Sequence, residues 1–446
     1  MKLCPLKQII KRDGTVVNYD RDRIDTAIFN AIVSTGGSDR RVAEELSQIV
    51  ETRLCEMYGA SIPTVEDIQD VVEAVLIARG HVTTARSYIQ YRHERAMSRR
   101  NRETTGEFSD NIPYKKIYEV LRWNMIHGCN SIQGINKIIE EDRFPQLVKD
   151  CNKRYSDETA SAAKHILKRG DDVRIVIVAG PSSSGKTTSM IKISEHLNTA
   201  GRELVAINID HYFFDLEMHP KDEFGDYDYE TPQALDLELI NKHLEQLLNG
   251  DTIKTPNYDF KTGKRELNVH ELKLEPHQLL LIDSLHGLYG GMTESVPSKN
   301  KFKLYVETLG QLSNDNGIFM RWADNRLMRR MIRDSLFRNL RPNQTLTHWH
   351  YVRASEMKNI IPFIANVDFV LNSAMPYELP ILKNRLFHYF PDAMLEFKDN
   401  PKRQDAYLRA KRVHEMLTPL REVANDSPIP PDSLIREFIG GSQYEY

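Results

Sequence analysis

Residues 173–188 read VRIVIVAGPSSSGKTT, and the fold turns on this stretch. Its first half, 173–179, is an apolar, β-branched run of the length of a strand buried on both faces. Its second half, Gly180-Pro-Ser-Ser-Ser-Gly185-Lys186-Thr187, fits the spacing GxxxxGK[ST]. The spacing has a physical purpose. Glycines let the backbone curl until successive N–H groups face one phosphate chain, and the helix that follows directs its positive end to the same place. Lys186 reaches the outer phosphates as a point charge, and the Thr187 hydroxyl is placed to ligate Mg²⁺. Gly180, Ser182, Ser183, Ser184, Gly185, Lys186, Thr187 and Thr188 are therefore the candidate nucleotide-binding residues, with ATP and Mg²⁺ the expected cofactors.

Outward from this loop, strands alternate with helices. A helical stretch runs to about residue 199, and a second strand spans 203–210. Further strand candidates are 278–283, 302–307 and 367–371, with helical patterns between them. Such alternation predicts an α/β fold with a mainly parallel sheet flanked by helices. Asp210 closes the second strand and heads the aromatic run Asp210-His211-Tyr212-Phe213-Phe214. A carboxylate there suits a general base or a metal ligand, as open parallel sheets place such groups at strand C-termini.

The chain divides by composition into residues 1–100, a linker and helical segment 101–170, and 171–446. In the first block, strand-like runs at 7–12 and 15–19 flank Asp13-Gly14, a hairpin-turn signal, and helical patterns follow at 21–34, 40–57, 65–78 and 82–97. Hydrophobic residues make up 40% and charged residues 28%, an ordinary globular balance over 446 residues. A formal net charge of -3 leaves no surplus of Lys and Arg, so no nucleic-acid partner is expected. Cys4, Cys55, Cys129 and Cys151 are scattered without metal or CxxC spacing and read as reduced thiols. The opening residues are too polar for a secretory core and no run approaches membrane length, so a cytoplasmic protein without a membrane partner is expected.

The segments GPSSSGKTT (180–188), DHYF (210–213), GDYDYETPQALD (225–236), TPNYDF (255–260), RLMRRMIRD (326–334), NSAMPYELPIL (372–382) and REFIGGS (436–442) resemble the uridine kinase/phosphoribulokinase branch of P-loop kinases. The likeness is closest to bacterial nucleoside-kinase-like members. It implies phosphorylation of a hydroxyl on a nucleoside-like acceptor, with Asp210 as general base and Asp283 supporting the metal. Tyr212, Asp228, Tyr229, Glu230 and Tyr258 fall on the acceptor side. Arg330, Arg333 and Arg338 fall in a lid helix that clamps phosphates, where the residue pattern alone would also suit a solvated charged face. Three departures stand out: Gly263 replaces a His that reads the pyrimidine, Leu340 replaces a lid Arg, and Asp283 stands where Glu is usual. A sugar phosphate or other small acceptor therefore stays open, as does a regulatory nucleotide binder with little turnover.

Residues 5–97 resemble the ATP-cone, a small regulatory nucleotide-binding domain. The resemblance rests on Ile10–Gly14, Asp22–Ile24, Val65–Glu73 and Ala85–Arg95. It implies that Lys11, Arg12 and Arg23 converge on a regulatory nucleotide. The Arg-rich run 92–102 reads as a solvated face or an oligomer contact. Both resemblances imply a homo-oligomer.

Overall fold

A computed structural model describes residues 6–10, 16–58, 62–89, 92, 111–220, 231–260, 262–398, 400 and 403–445. The Asp13-Gly14 turn, Lys11, Arg12, Asp228, Tyr229 and Glu230 lie outside the described residues. The chain divides into two compact units, Met1–Phe108 and Ser109–Tyr446.

In the first unit β1 (Gln8–Ile10) pairs antiparallel with β2 (Val16–Asn18). Helices α1 (Arg21–Ser34), α2 (Arg40–Tyr58) and α3 (Val65–Ala78) follow, and helical backbone resumes over 82–89. Helix α3 opens with a reciprocal cap in which Thr64 and Asp67 satisfy each other's backbone N–H groups. Its buried Ile68, Val71, Val72, Val75 and Leu76 recur at helical spacing and meet Ile28, Val50 and Leu54 in one core. Of the Arg-rich run 92–102, only Arg92 lies within the described residues. Its guanidinium donates to Glu66, Asp70 and Glu73 at 2.7, 2.6 and 2.7 Å, so it fastens the last helical stretch to α3.

The second unit begins with α4 (Tyr114–Ile126), α5 (Ile132–Glu140) and α6 (Phe144–Lys168). The apolar run becomes β3 (Ile175–Ala179), every residue of it buried. There follow α7 (Lys186–Thr199), β4 (Glu203–Asn208), α8 (Leu237–Leu248), β5 (Ile253–Asp259), β6 (Lys264–Leu272) and β7 (Gln278–Asp283). Then come β8 (Lys301–Glu307), α9 (Trp322–Phe337), α10 (Pro342–Asn359) and β9 (Phe369–Asn372). The unit closes with α11 (Glu378–Leu386), α12 (Tyr389–Phe397), α13 (Gln404–Leu417) and α14 (Arg436–Ile439).

Five strands form one parallel sheet in the order β4-β7-β3-β8-β9. The pleat of β3 sorts its side chains between two cores. Val176 and Val178 join Tyr155, Ala162 and Ile166 of α6 and Ile193 and Leu197 of α7. Ile175 and Ile177 face the other way, into a cluster with Tyr212, Ile240 and Leu244. The sheet is thus covered on both sides, which is why its central strand carries no polar residue.

A second sheet, the antiparallel hairpin β5–β6, is absent from the sequence expectation. Most of β6 is exposed, so its residues KRELNVHEL show no apolar alternation. Cys129 and Cys151 are free and buried, but Cys55 is disulfide-bonded, which corrects the expectation of reduced thiols throughout. No helix among the described residues is long and apolar enough to cross a membrane.

Candidate active site

Ala179 ends β3, and residues 180–185 turn back over its C-terminal end before α7 starts at Lys186. Ser183 at φ 61° and Gly185 at φ 87° take left-handed backbone, which lets the loop close on itself. Gly180 is required by space: a Cβ there would sit 2.3 Å from the Val306 carbonyl oxygen. The helix begins without a side-chain cap from Gly185, and its first intrahelical bond runs from Ser189 N–H to the Gly185 carbonyl. Lys186 Nζ donates to the Gly180 carbonyl at 3.0 Å, which folds the lysine across the mouth of the loop.

The parallel register brings two carboxylates beside this loop. Asp283 ends β7 level with Asn208 of β4 on one side and Val178 of β3 on the other. Asp210 lies in the 3₁₀ turn just past β4, its N–H donating to Asn208 Oδ1 at 3.0 Å. One side of Asp210 opens to solvent, while the cleft walls crowd the other. That crowding, and secondarily the Asp283 carboxylate, raises its pKa above the ordinary carboxylate value, against the pull of His211 and Lys186. Burial likewise raises Asp283, against Lys186. One lysine therefore faces both carboxylates.

Asp283 Oδ1 is buried without a hydrogen-bond partner, an orphaned acceptor beside the loop. Among the described residues no cluster of three or more His, Cys, Asp or Glu could hold a metal alone. This sparse donor set fits Mg²⁺, which takes one or two protein oxygens and completes its shell with phosphates and water. Asp283 and Thr187 are the residues available to it.

Helix α9 forms the opposite wall. Arg330 Nη1 donates to Ser182 Oγ at 3.1 Å, and Arg326 Nη1 donates to the Ser182 carbonyl at 3.2 Å. Three guanidinium groups share the buried Asp334: Arg330 at 3.2 Å, Arg333 at 3.5 Å and Arg338 at 3.5 Å. One carboxylate among three guanidinium groups leaves a local positive surplus suited to a polyanion. Arg333 shows the tension: burial, then Arg338, lower its pKa, with Asp334 acting in the opposite sense. Arg326, one turn before Arg330 on the same helix, is a buried anchor paired to Glu307 at 2.8 Å and to Glu356 at 2.5 and 3.0 Å.

On the far side of Asp210, Tyr258 of β5 is enclosed by aromatic rings. Phe260 lies 5.0 Å away between centroids, Phe213 5.5 Å, and His219 6.2 Å in a stacked orientation. Tyr258 N–H donates to His211 Nδ1 at 3.1 Å, which makes Nδ1 the acceptor of that ring. Burial and His270 lower the pKa of His211, which favours its neutral form. Tyr212 is a correction. It is fully buried, and its hydroxyl pairs with His243 at 2.8 Å, so it belongs to the core beneath the cleft. Gly263 sits at φ 68° in the hairpin turn, where a Cβ would come within 2.8 Å of Leu216 Cβ. This position thus has no room for a side chain.

Sequence reasoning missed Glu437, whose carboxylate reaches the loop helix from the C-terminal segment. Its Oε2 accepts from Thr188 N at 3.2 Å and Thr188 Oγ1 at 2.7 Å. REFIGGS was visible as a motif, but nothing in its spacing says which side chain turns inward. In the first unit, Arg23 is exposed and pairs with Asp20 at 3.4 Å.

A curled Gly/Ser loop between the central strand of a parallel sheet and a helix, with Lys at its mouth and carboxylates on the neighbouring strands, defines a P-loop nucleotide-binding domain. Residues 175–376 match the phosphoribulokinase/uridine kinase family and residues 7–97 match the ATP cone domain. A uridine kinase of Bacillus pumilus is 32% identical over 162 residues, covering 36% of this chain and 67% of that protein. A uridine kinase of Halobacterium salinarum is 29% identical over 157 residues; this covers 35% of this chain, and the chain spans only 60% of that relative's length. A vitamin B12-dependent ribonucleoside-diphosphate reductase of Thermoplasma acidophilum is 37% identical over 110 residues, 24% of this chain and 14% of that one. Among solved structures, a putative fructose transport system kinase from Silicibacter sp. TM1040 aligns at TM-score 0.35 and 16% identity, over 48% of this chain and 98% of that one. The chain belongs to the phosphoribulokinase/uridine kinase family and carries an ATP-cone domain.

Proposed function

We propose that the chain transfers the γ-phosphoryl group of ATP to a hydroxyl of a nucleoside-like acceptor. The observation that carries this reading is the convergence, at one edge of the sheet, of Lys186, the Asp210–Asp283 pair and the α9 arginines. Loop N–H groups and Lys186 hold the phosphates. Asp210 takes the proton of the acceptor hydroxyl as its oxygen attacks the γ-phosphorus. The bond to the β,γ-bridging oxygen breaks, which leaves ADP and a phosphomonoester. A raised pKa suits Asp210 to this work, because a base closer to neutrality accepts a proton more readily. Arg330, Arg333 and Arg338 neutralise charge spread over the transferring group. Thr187 and Asp283 would hold Mg²⁺, which when bound would supply charge neutralisation for the phosphates.

The aromatic enclosure around Tyr258 supports an acceptor with a planar ring, and Asp228, Tyr229 and Glu230 are assigned to its sugar hydroxyls. The crowding of Gly263 against Leu216 favours a second reading, in which the acceptor is a sugar phosphate or another small hydroxyl compound. We further assign Lys11, Arg12 and Arg23 to a regulatory nucleotide at the cone, and take the protein to act in the cytoplasm as a homo-oligomer.

The test is ATP consumption by purified protein against nucleosides, pentoses, sugar phosphates and small hydroxy acids, repeated with Asp210→Asn. Turnover of a nucleoside, lost in the variant, is the expected result. Turnover of a non-nucleoside alone keeps the kinase and moves the acceptor to the second reading. No turnover with ATP still bound would leave a nucleotide-responsive regulator and defeat the proposal.

A further inference from the structure

Three backbone N–H groups at the start of α7, those of Lys186, Thr187 and Thr188, precede the first intrahelical bond and are the donors a P-loop helix offers to phosphate. Here one of the three is engaged. A single carboxylate oxygen of Glu437, 249 residues distant in sequence, accepts from both the N–H and the hydroxyl of Thr188. The carboxylate is buried at 7% exposure, and burial raises its pKa, against the Thr188 bonds and the charges of Arg333 and Arg329.

The carrier of this carboxylate is a well-anchored segment. Asp432 pairs with Lys192 at 2.7 Å, one turn further along α7. Ser433 shares a hydrogen bond with Tyr377 at 2.7 Å. Leu434 lies so close to the loop that a Cβ on Gly185 would meet its Cδ1 at 2.7 Å. Side chains of this stretch thus touch the loop, its helix and the start of α11.

An amide N–H carries one hydrogen, so Thr188 N–H cannot give a full bond to a phosphate oxygen and to Glu437 together. A phosphate arriving there would also meet a buried carboxylate at hydrogen-bonding distance from the same donors, and like charges at that separation repel strongly. We infer that Glu437 is an internal stand-in for a nucleotide phosphate, and that nucleotide binding at the loop displaces it from Thr188. Its presence sets nucleotide affinity below what the loop alone would give. It also ties the position of residues 429–445 to the state of the loop. The inference rests on the proposed binding of nucleotide at residues 180–188.

The experiment measures MgADP and MgATP affinity by calorimetry for the full chain and for Glu437→Gln. Amide hydrogen exchange of residues 429–445 in the unsubstituted protein, with and without saturating MgADP, is the parallel measurement. Glutamine keeps the shape and the acceptor but removes the charge, so affinity should rise roughly five- to tenfold, the gap between charged and neutral acceptors. Exchange in residues 429–445 should increase on saturation. Affinity that is unchanged or weaker in Glu437→Gln, or a segment that becomes more protected with nucleotide, would overturn the inference and make Glu437 a cap that supports binding. Should the variant not fold, the exchange measurement on the unsubstituted chain decides alone. If the unsubstituted chain binds no nucleotide while remaining folded, the P-loop reading itself falls, and the inference with it.

Discussion

Replacing Arg326 by Met would remove the cation from a buried cluster that also holds the loop. Arg326 is 1% exposed, Glu307 2% and Glu356 0%, so none of the three charges is screened by water. After the substitution Glu307 keeps the hydroxyl of Tyr305 at 3.0 Å and the N–H of Thr308 at 2.8 Å, and Glu356 keeps Arg353. Removing one member of a buried pair costs about 3–5 kcal/mol. The retained donors put Arg326→Met toward the lower end, about 3 kcal/mol. Denaturant unfolding followed by tryptophan fluorescence is the assay. All three tryptophans, Trp123, Trp322 and Trp349, lie in the second unit, and Arg326 sits 5.8 Å from the Trp349 ring. Arg326→Met/Glu356→Met should recover much of the loss, since it removes the stranded carboxylate as well. Nucleotide affinity should fall in the single variant, because the Ser182 carbonyl loses its donor. A loss below about 1 kcal/mol, the range of an exposed pair, would refute the view that this cluster is desolvated and anchors the loop.

Four further outcomes are expected. Asp210→Asn should lower kcat by about 10²–10⁴, the usual worth of a general base, with ATP affinity little changed in a direct binding assay. In pH profiles of kcat/KM, the limb where activity rises belongs to Asp210 losing its proton. Asp283→Asn removes a negative neighbour that raises the Asp210 pKa, so that limb should move to lower pH; an unmoved limb would assign it to another group. Tyr258→Ala should raise the acceptor KM while leaving the ATP KM in place, as steady-state kinetics with each substrate varied would show. Cys129, whose thiol burial pushes up to about 12, and Cys151, buried and raised further, should resist alkylation in the native protein and react on unfolding, as read by mass spectrometry.

Much of this architecture can be read from the sequence, for reasons visible in particular elements. The sheet announces itself because β3 and the centre of β7 are buried on their faces and so are apolar almost throughout. Loop residues are legible because their spacing is dictated by the ligand. The hairpin β5–β6 is not, because an exposed strand imposes no pattern on its side chains. The run 210–214 shows a subtler limit. Its residues 209–212 form a 3₁₀ turn, so neighbouring side chains fan in different directions, and the sequence does not reveal that His211 contacts Tyr258 while Tyr212 turns into the core. Arg326 and Arg330 share a helix face by spacing, yet burial separates an anchor from a residue at the cleft. Glu437 lies beyond any local pattern, since its partner is on the far side of the domain sequence.

The strand order has a consequence for how the molecule is made. Strand β3 carries the phosphate loop, yet both its neighbours, β7 and β8, arrive roughly a hundred residues later in the chain. Five consecutive aliphatic residues, Ile175–Ala179, therefore wait unpaired while β4, α8 and the β5–β6 hairpin are laid down. Closing such long loops is slow, and an unpaired apolar strand is a site of aggregation in the interval. Helix α6, which precedes β3 and packs on one of its faces, is the earliest element able to shield it. The helical segment before the sheet would then act as a chaperone in cis, covering the central strand until its partners exist.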